Sequence, residues 1–301
     1  PELRQTGQRA VAVGAPAVLM TFNPHETRAV WDRFGMPAET DSTGAFPVSH
    51  LGLHGGMEVW HLVSDQGSGE AGVAARYAIS RFKPWAVIAV GIAFGMNPAK
   101  QAIGDVLVSN HIRDYQLGRR NPDGSFTPRS GKPRGSDRLL RRIKRLDHQR
   151  ANTADWPTLH IGTLMCGDEL LDNHAHRDKL TAIEPEAVGG EMEASGIEIV
   201  CRQDKLDWIV VKGISDWADG AKNSGRKEQD QRLAADNAAL VVKAMLDMGP
   251  FAPADPPPAR PLPAQPAPQL PDRGNIPDGH SQRCVRGRTV EIDEYYDAQI
   301  V

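Results

Sequence analysis

The chain of 301 residues is long enough for one large domain, and its 40 % hydrophobic and 24 % charged residues are typical of globular proteins. A formal net charge of −3 gives no electrostatic reason to expect a nucleic-acid or membrane partner, and no apolar run approaches the roughly 20 residues that span a bilayer. The N-terminus has no basic region followed by an apolar stretch, and three scattered cysteines show neither zinc-ligand spacing nor a disulfide framework. We therefore expect a cytoplasmic protein that uses no metal and no cofactor.

Short apolar runs alternate with amphipathic segments along most of the chain. Continuous apolar runs separated by helices are typical of a parallel sheet covered on both faces, so the pattern predicts an α/β fold. The predicted strands are residues 17–22, 59–63, 85–90, 103–108, 159–164 and 208–211. The predicted helices are residues 26–34, 71–82, 138–145, 193–201 and 228–248, and residues 35–57 are predicted to be loop.

Composition divides the chain into three parts. Residues 1–249 carry the alternating pattern and form the predicted domain, within which residues 111–150 are a basic insert with twelve Lys or Arg against four Asp or Glu. Residues 250–280 are predicted to be a linker, because ten prolines between positions 253 and 277 favour extended, polyproline-like chain. Residues 281–301 form a short tail that is a candidate for docking or for binding a protein partner.

Three acidic residues stand at the ends of predicted core elements. Glu26 follows the first strand, Glu193 opens a helix, and Asp216 follows the last strand. Ligands of open α/β sheets bind at the carboxyl ends of the strands, so we expect the three carboxylates to share one pocket. For Glu26 the position alone fits equally well a surface residue at a helix start, which the helix dipole favours. Cleavage of an N-glycosidic bond needs such a set: an acid for the leaving base, negative charge beside the oxocarbenium-like sugar, and a base for water.

Several short motifs in a fixed order resemble the purine nucleoside phosphorylase and uridine phosphorylase superfamily. They are Gly91-Ile92-Ala93-Phe94-Gly95, Gly104-Asp105-Val106, Gly167-Asp168, Glu191-Met192-Glu193-Ala194 and Ile214-Ser215-Asp216. The pattern is most similar to 5′-methylthioadenosine/S-adenosylhomocysteine nucleosidases and covers about residues 17–248. The resemblance implies a three-layer fold with a central mixed, mostly parallel sheet flanked by helices. It implies an N-glycosidic hydrolase that releases a purine, with adenine as the expected base.

The resemblance also implies roles for individual residues. Glu26 matches the base that activates water, Glu193 the acid that holds the ribose hydroxyls, and Asp216 the acid that protonates the purine at N7. Ser215 would orient Asp216, and Met192 would pack against the ribose. The remaining candidate binding residues are Ala93 and Phe94 for base and sugar, Leu170 and Leu171 for the purine side, and Glu191, for which no role follows from the sequence.

The basic insert departs from the compact nucleosidases and is more similar to nucleosidase-like effector domains of bacterial conflict systems. That similarity raises the hypothesis of a defence effector acting on a phosphorylated substrate. The candidate phosphate ligands are Arg113, Arg119, Arg120 and Arg134. The alternative is a solvated basic loop and helix face without a ligand.

Two other functions remain open at this stage. A nucleoside phosphorylase is one, although Phe22-Asn23-Pro24-His25-Glu26 stands where phosphorylases of the superfamily carry Gly-Asp-Pro-x-Arg, which favours water over phosphate. A non-catalytic module that senses nucleotides is the other. The resemblance further implies a homo-oligomer, dimer or higher, in which a neighbour completes the pocket.

Overall fold

The computed structural model describes residues 14–151, 153–169, 173–219 and 225–249, all within the first of two units of the chain, Pro1–Phe251. The predicted linker, the predicted tail, and the candidates Leu170 and Leu171 lie outside the described residues. In these ranges no helix combines the length and the hydropathy that crossing a bilayer requires.

The strands and helices alternate along the chain. The strands are β1 Ala17–Thr21, β2 Thr40–Asp41, β3 Val48–His54, β4 Met57–Val63, β5 Ala86–Gly95, β6 Val106–Asp114, β7 Gly118–Arg120, β8 Phe126–Pro128, β9 Leu159–Cys166, β10 Ala187–Glu191 and β11 Asp207–Asp216. The helices are α1 Pro24–Phe34, α2 Ser68–Phe82, α3 Asp137–Arg150, α4 His174–Ile183, α5 Ala194–Gln203 and α6 Lys227–Asp247.

Nine strands form one mixed sheet in the order β10-β9-β6-β11-β5-β1-β4-β3-β2. Its centre is parallel, because β5 pairs in parallel with both β1 and β11, and β1 pairs in parallel with β4. Antiparallel pairs occur where β6 meets β11 and where β4, β3 and β2 follow one another. The expected mixed, mostly parallel sheet is therefore confirmed.

Successive side chains of the central strands face opposite layers of helices, as the two-residue period of a strand requires. In β5, Ile88 and Val90 belong to the core shared with α1, α3 and α6, whereas Val87 and Ala89 belong to the core shared with α2 and α5. Both sides are buried, which explains why the run reads as continuously apolar in sequence. The three-layer architecture is confirmed.

Strand β10 lies close to the end of β5 because glycines occupy both positions where the two strands pair. It pairs in parallel with β9 and, through Gly189 and Gly190, antiparallel with the end of β5. A Cβ on Gly190 would lie 2.3 Å from Cζ of Phe94, and one on Gly189 would lie 2.5 Å from the Phe94 carbonyl oxygen. Only glycine permits this approach, which brings the following Glu191 to the carboxyl end of β5.

The loop predicted for residues 35–57 is wrong, since it contains β2 and β3. Strand β3 pairs antiparallel with β4 and carries an irregularity at Gly52, whose φ of +89° favours glycine. Its many polar residues hide the strand pattern because β3 lies next to the edge of the sheet, where side chains reach solvent. Two central strands are also longer than predicted: β5 continues to Gly95 and β11 to Asp216.

The basic insert folds as a hairpin, β7 with β8, followed by α3. Helix α3 buries Leu139, Leu140, Ile143 and Leu146 in the core, and Ser136 caps its start by accepting a hydrogen bond from the Leu139 amide. The many cations of α3 therefore accompany a helix that packs into the outer layer.

We predict opposite stability changes for two alanine substitutions in the α2–α5 pair. A Cβ on Gly196 would lie 1.8 Å from the Ser68 carbonyl oxygen, so Gly196→Ala should lower the free energy of unfolding by about 1–3 kcal/mol or more. Gly69→Ala is the matched control, because no atom lies within 4 Å of the added Cβ. That substitution should stabilise the protein by about 0.4–1 kcal/mol. Urea denaturation of both variants measures the difference, and equal effects would contradict the packing argument.

Candidate active site

A cavity of about 450 Å³ opens at the carboxyl ends of β1, β5 and β11. This volume lies in the range of about 300–1,000 Å³ that is typical of small-molecule sites. Every candidate catalytic or substrate-binding residue that the structure describes lines it. These residues are Glu26, Ala93, Phe94, Glu191, Met192, Glu193, Ser215 and Asp216.

The Glu26 carboxylate is fixed by the backbone on two sides. It accepts hydrogen bonds from the amides of Phe22, at 2.7 Å to Oε2, and Ile92, at 2.8 Å to Oε1. Its own amide donates to Asn23 Oδ1, which caps helix α1. A Cβ on Gly91 would lie 1.9 Å from Glu26 Oε1, so the carboxylate occupies space that only glycine leaves open. Glycine at position 91 is therefore part of the site.

Lys212 is a buried cation between two of the acids. Its side chain comes from β11 and is 1 % exposed, and its Nζ lies 3.0 Å from Glu193 Oε2 and 3.4 Å from Glu26 Oε1. The ammonium also lies 4.7 Å from the centroid of the Phe22 ring. Lys212 does not line the cavity, whereas Glu26 and Glu193 do, so the two carboxylates separate the ammonium from the space where a ligand would bind.

Burial and charge shift the pKa values of this group in opposite directions. Burial raises the pKa of Glu26, the Lys212 ammonium partly offsets that rise, and the Glu193 carboxylate adds to it. Burial lowers the affinity of Lys212 for its proton, but the carboxylates around it outweigh this effect, and its pKa is raised. The lysine is therefore charged and forms the counter-ion of the acids.

Glu191 positions the helix that follows it. Its carboxylate accepts hydrogen bonds from the amides of Glu193, at 2.9 Å, and Ala194, at 3.0 Å, and so caps the start of α5. Burial, together with the nearby Glu193 carboxylate, raises the pKa of Glu191 to about 7. These backbone contacts give Glu191 the role that the sequence left open: it fixes the orientation of the turn that carries Glu193.

Asp216 ends β11 with both carboxylate oxygens hydrogen-bonded. Ser215 Oγ lies 2.9 Å from Oδ2 of Asp216 and 3.3 Å from the carbonyl oxygen of Ala93. The amide of Ala218 donates to Oδ1 at 3.0 Å, which requires the left-handed backbone of Ala218, with φ of +50°. A positive φ in a residue other than glycine costs free energy, so the turn is held in place by its surroundings.

The four arginines predicted to bind phosphate do not line the cavity. Arg113 donates to the Ser130 carbonyl oxygen at 3.1 Å, and Arg134 pairs with Asp137 on the surface. Arg119 and Arg120 are exposed in the β7–β8 hairpin. Within one chain the structure therefore does not bring these arginines to the acids.

Several lining or supporting residues escaped the sequence analysis. Lys212 had a usable signal, because a lysine inside an apolar strand of a doubly covered sheet must be buried and paired. Trp217 follows directly on a predicted site residue. The α6 residues that line the cavity gave no signal before the position of their helix was known; they are Arg226, Lys227, Asp230 and Gln231.

Comparisons with known proteins agree with this geometry. Residues 16–247 match the family described as the phosphorylase superfamily. A death domain-containing ATP nucleosidase of Amphimedon queenslandica is 29 % identical over 186 residues, which are 54 % of this chain and 34 % of that protein. The chain thus spans about a third of that relative. A 5′-methylthioadenosine/S-adenosylhomocysteine nucleosidase of Tolumonas auensis is 26 % identical over 64 % of this chain and 82 % of its own length.

Solved structures share the fold. A 5′-methylthioadenosine/S-adenosylhomocysteine nucleosidase of Neisseria meningitidis, in complex with methylthio-immucillin-A, aligns with a TM-score of 0.67 and 21 % identity, covering 78 % of this chain and 99 % of that one. Futalosine hydrolase of Helicobacter pylori aligns with a TM-score of 0.68 and 20 % identity, covering 78 % and 98 %. The family match extends over most of the chain, and the chain therefore belongs to the phosphorylase superfamily.

Proposed function

We propose that this chain is a purine N-ribosidase that uses water to cleave the N-glycosidic bond of an adenine nucleoside or nucleotide. The observation that carries the proposal is the convergence of Glu26, Glu193 and Asp216 on one cavity, with a buried cation behind two of them. The relatives named above support the choice of base, since methylthioadenosine, S-adenosylhomocysteine and ATP all contain adenine.

Asp216 supplies the proton that the leaving base needs. The bond between the purine nitrogen and C1′ breaks with its electron pair on the base, and Asp216 protonates N7 so that the base departs neutral. Ser215 can serve both protonation states of Asp216, because a hydroxyl donates one hydrogen bond and accepts others. With the carboxylate ionised, the hydroxyl donates to it; with the carboxyl protonated, the hydroxyl accepts from it and donates to the Ala93 carbonyl oxygen.

Glu193 acts on the sugar. Its carboxylate accepts hydrogen bonds from the ribose hydroxyls and places negative charge beside the sugar as it becomes oxocarbenium-like. Met192 lines the same region, and its carbonyl oxygen accepts a hydrogen bond from Ser68 Oγ at 2.9 Å, which holds the turn. The backbone contacts of Glu191 fix this turn from the other side.

Glu26 acts on the attacking water. As the oxygen–C1′ bond forms, the water loses a proton to the Glu26 carboxylate, and solvent exchange later returns protons to Asp216 and removes them from Glu26. Lys212 opposes the effect of burial on the pKa of Glu26 and so favours its ionised form. Its ammonium is already engaged by two carboxylates, which leaves it poorly placed to hold a phosphate nucleophile and favours hydrolysis over phosphorolysis.

The proposal also concerns the role of the chain in the cell. The sequence resemblance to effector domains suggests a part in defence against phage, and one relative is a death domain-containing ATP nucleosidase. Expression of the active chain should then deplete an adenine-containing pool in the host cell, and chromatography of cell extracts with and without the intact Asp216 measures that depletion. An unchanged pool would contradict the effector role and leave the in vitro activity untouched.

We predict that Asp216→Asn and Glu193→Gln each reduce release of free base by roughly 10²–10⁴-fold, because each removes one group that acts in the transition state. The assay is chromatography of adenine and of ribose or ribose phosphate after incubation with adenosine, methylthioadenosine, AMP and ATP. Asp32→Asn is the matched control, since Asp32 lies on the exposed side of α1 and pairs with Arg28. Full turnover in both site variants would refute the assignment, and ribose 1-phosphate formed only with added phosphate would favour the phosphorylase.

We predict that Lys212→Met moves the acidic limb of the pH profile of kcat/KM to higher pH by about 1–3 units. Glu26 must be ionised to accept a proton, the ammonium lowers the pKa of Glu26, and its removal therefore raises the pH below which activity is lost. Lys212→Arg keeps the positive charge and should leave the limb closer to that of the wild type. Thermal denaturation establishes that each variant is folded, and an unshifted limb in folded Lys212→Met would contradict this role.

A further inference from the structure

Two cations line the cavity apart from the acids that act on the sugar and base. Arg226 and Lys227 stand at the start of α6, and Asp230 and Gln231 line the same wall one turn later. Helix α6 packs against α1, where Arg33 of α1 forms an ion pair with Asp236 of α6. Because α1 also carries Glu26 in its first turn, the wall made by α6 adjoins the sugar side of the cavity.

Neither cation is committed to another protein group. Among the described residues, Arg226 and Lys227 make no ion pair and no side-chain hydrogen bond. Every other lysine or arginine of α1 and α6 has a carboxylate partner: Arg28 with Asp32, Arg33 with Asp236, Arg232 with Glu228, and Lys243 with Asp247. Arg226 and Lys227 are exposed to solvent and unpaired among the described residues, so a ligand in the cavity can engage both.

We propose that Arg226 and Lys227 bind the 5′-phosphoryl group of the substrate, so that the preferred substrate is a purine nucleotide. This inference rests on the function proposed above. A guanidinium and an ammonium are the two side chains that hold phosphoryl oxygens with charge-assisted hydrogen bonds. The 5′ substituent is the part of the substrate that neither Glu193, at the hydroxyls, nor Asp216, at the base, engages.

The charges of the cavity allow a nucleotide to bind in one orientation. The carboxylates of Glu26, Glu193 and Asp216 repel a phosphoryl group from the end where the sugar and base react. Arg226 and Lys227, by contrast, carry two positive charges beside the single carboxylate of Asp230, which lines the cavity one turn further along α6. Loss of one cation cancels that net positive charge, which predicts a steep dependence of nucleotide binding on each of them.

The test compares adenosine, AMP and ATP as substrates of the full chain and of the double variant Arg226→Ala/Lys227→Ala. We expect the wild type to prefer the phosphorylated substrates. In the double variant the ratio of kcat/KM for AMP to that for adenosine should fall about 10- to 100-fold through KM, because hydrogen bonds to charged groups are lost. Arg232→Ala is the matched control: Arg232 lies on the same helix, lines an outer groove and pairs with Glu228, so the ratio should stay at the wild-type value.

Two outcomes would overturn the inference. An equal loss of kcat/KM for adenosine and AMP would mean that the cations support the fold of the cavity wall, and an unchanged kcat/KM for both substrates would mean that phosphate binds elsewhere. Calorimetry of AMP and adenosine binding separates this test from the proposed function. A chain that releases base from adenosine, yet binds AMP no more tightly than adenosine, retains its function and loses the phosphate site. A chain that releases no base, yet loses AMP affinity in the double variant, keeps the site and loses the function.

Discussion

The burial of one ammonium group among carboxylates determines how this cavity is built. A lysine without a partner in a protein interior carries a large desolvation cost, so Lys212 is stable at its position only with Glu193 and Glu26 beside it. The three side chains come from β11, from the start of α5 and from α1. The charge interaction therefore ties three separate parts of the chain together at the point where the proposed chemistry occurs. A substitution that removed the lysine would leave two buried carboxylates that repel each other. Such a change should therefore affect both the activity and the stability of the protein.

The second constraint is that several side chains and one helix lie directly against strand backbone. Gly91 leaves space for the Glu26 carboxylate, Gly190 lets β10 reach the Phe94 ring, and Gly213 lets β11 approach α6, where a Cβ would lie 2.0 Å from the Ala234 carbonyl oxygen. These glycines lie in strands, where glycine is intrinsically unfavourable. Their positions are explained by what they admit: a carboxylate, an aromatic ring and a helix backbone. The carboxylates can reach the lysine because the neighbouring glycines have no side chains that would fill the space.

The sequence predicted the acidic residues of the site better than it predicted the strands and helices around them. Glu26, Glu193 and Asp216 each end or open an apolar run, and parallel strands gather such positions at one edge, so their convergence followed from pattern alone. Strand β3 was missed because only three of its seven residues are buried, so its apolar pattern is weak. The contribution of Arg226 depends on α6 packing against α1 across about two hundred positions of sequence, and no local pattern encodes that contact. The arginines of the basic insert were expected to bind phosphate, yet they do not line the cavity. A charged residue in a sequence does not show in which direction its side chain will point.

The distribution of charge explains how a site can hold a buried lysine and still favour a cationic transition state. Positive charge develops at C1′ during glycosidic cleavage, so an ammonium facing the sugar would oppose the reaction. Glu26 and Glu193 line the cavity and Lys212 does not, and the formal charge of these three side chains sums to −1. The sugar thus meets the two carboxylates, while the lysine, paired with both, holds them in place. Cations that contact a ligand directly belong at a distance from C1′, which agrees with the role proposed for Arg226 and Lys227 at the 5′ substituent.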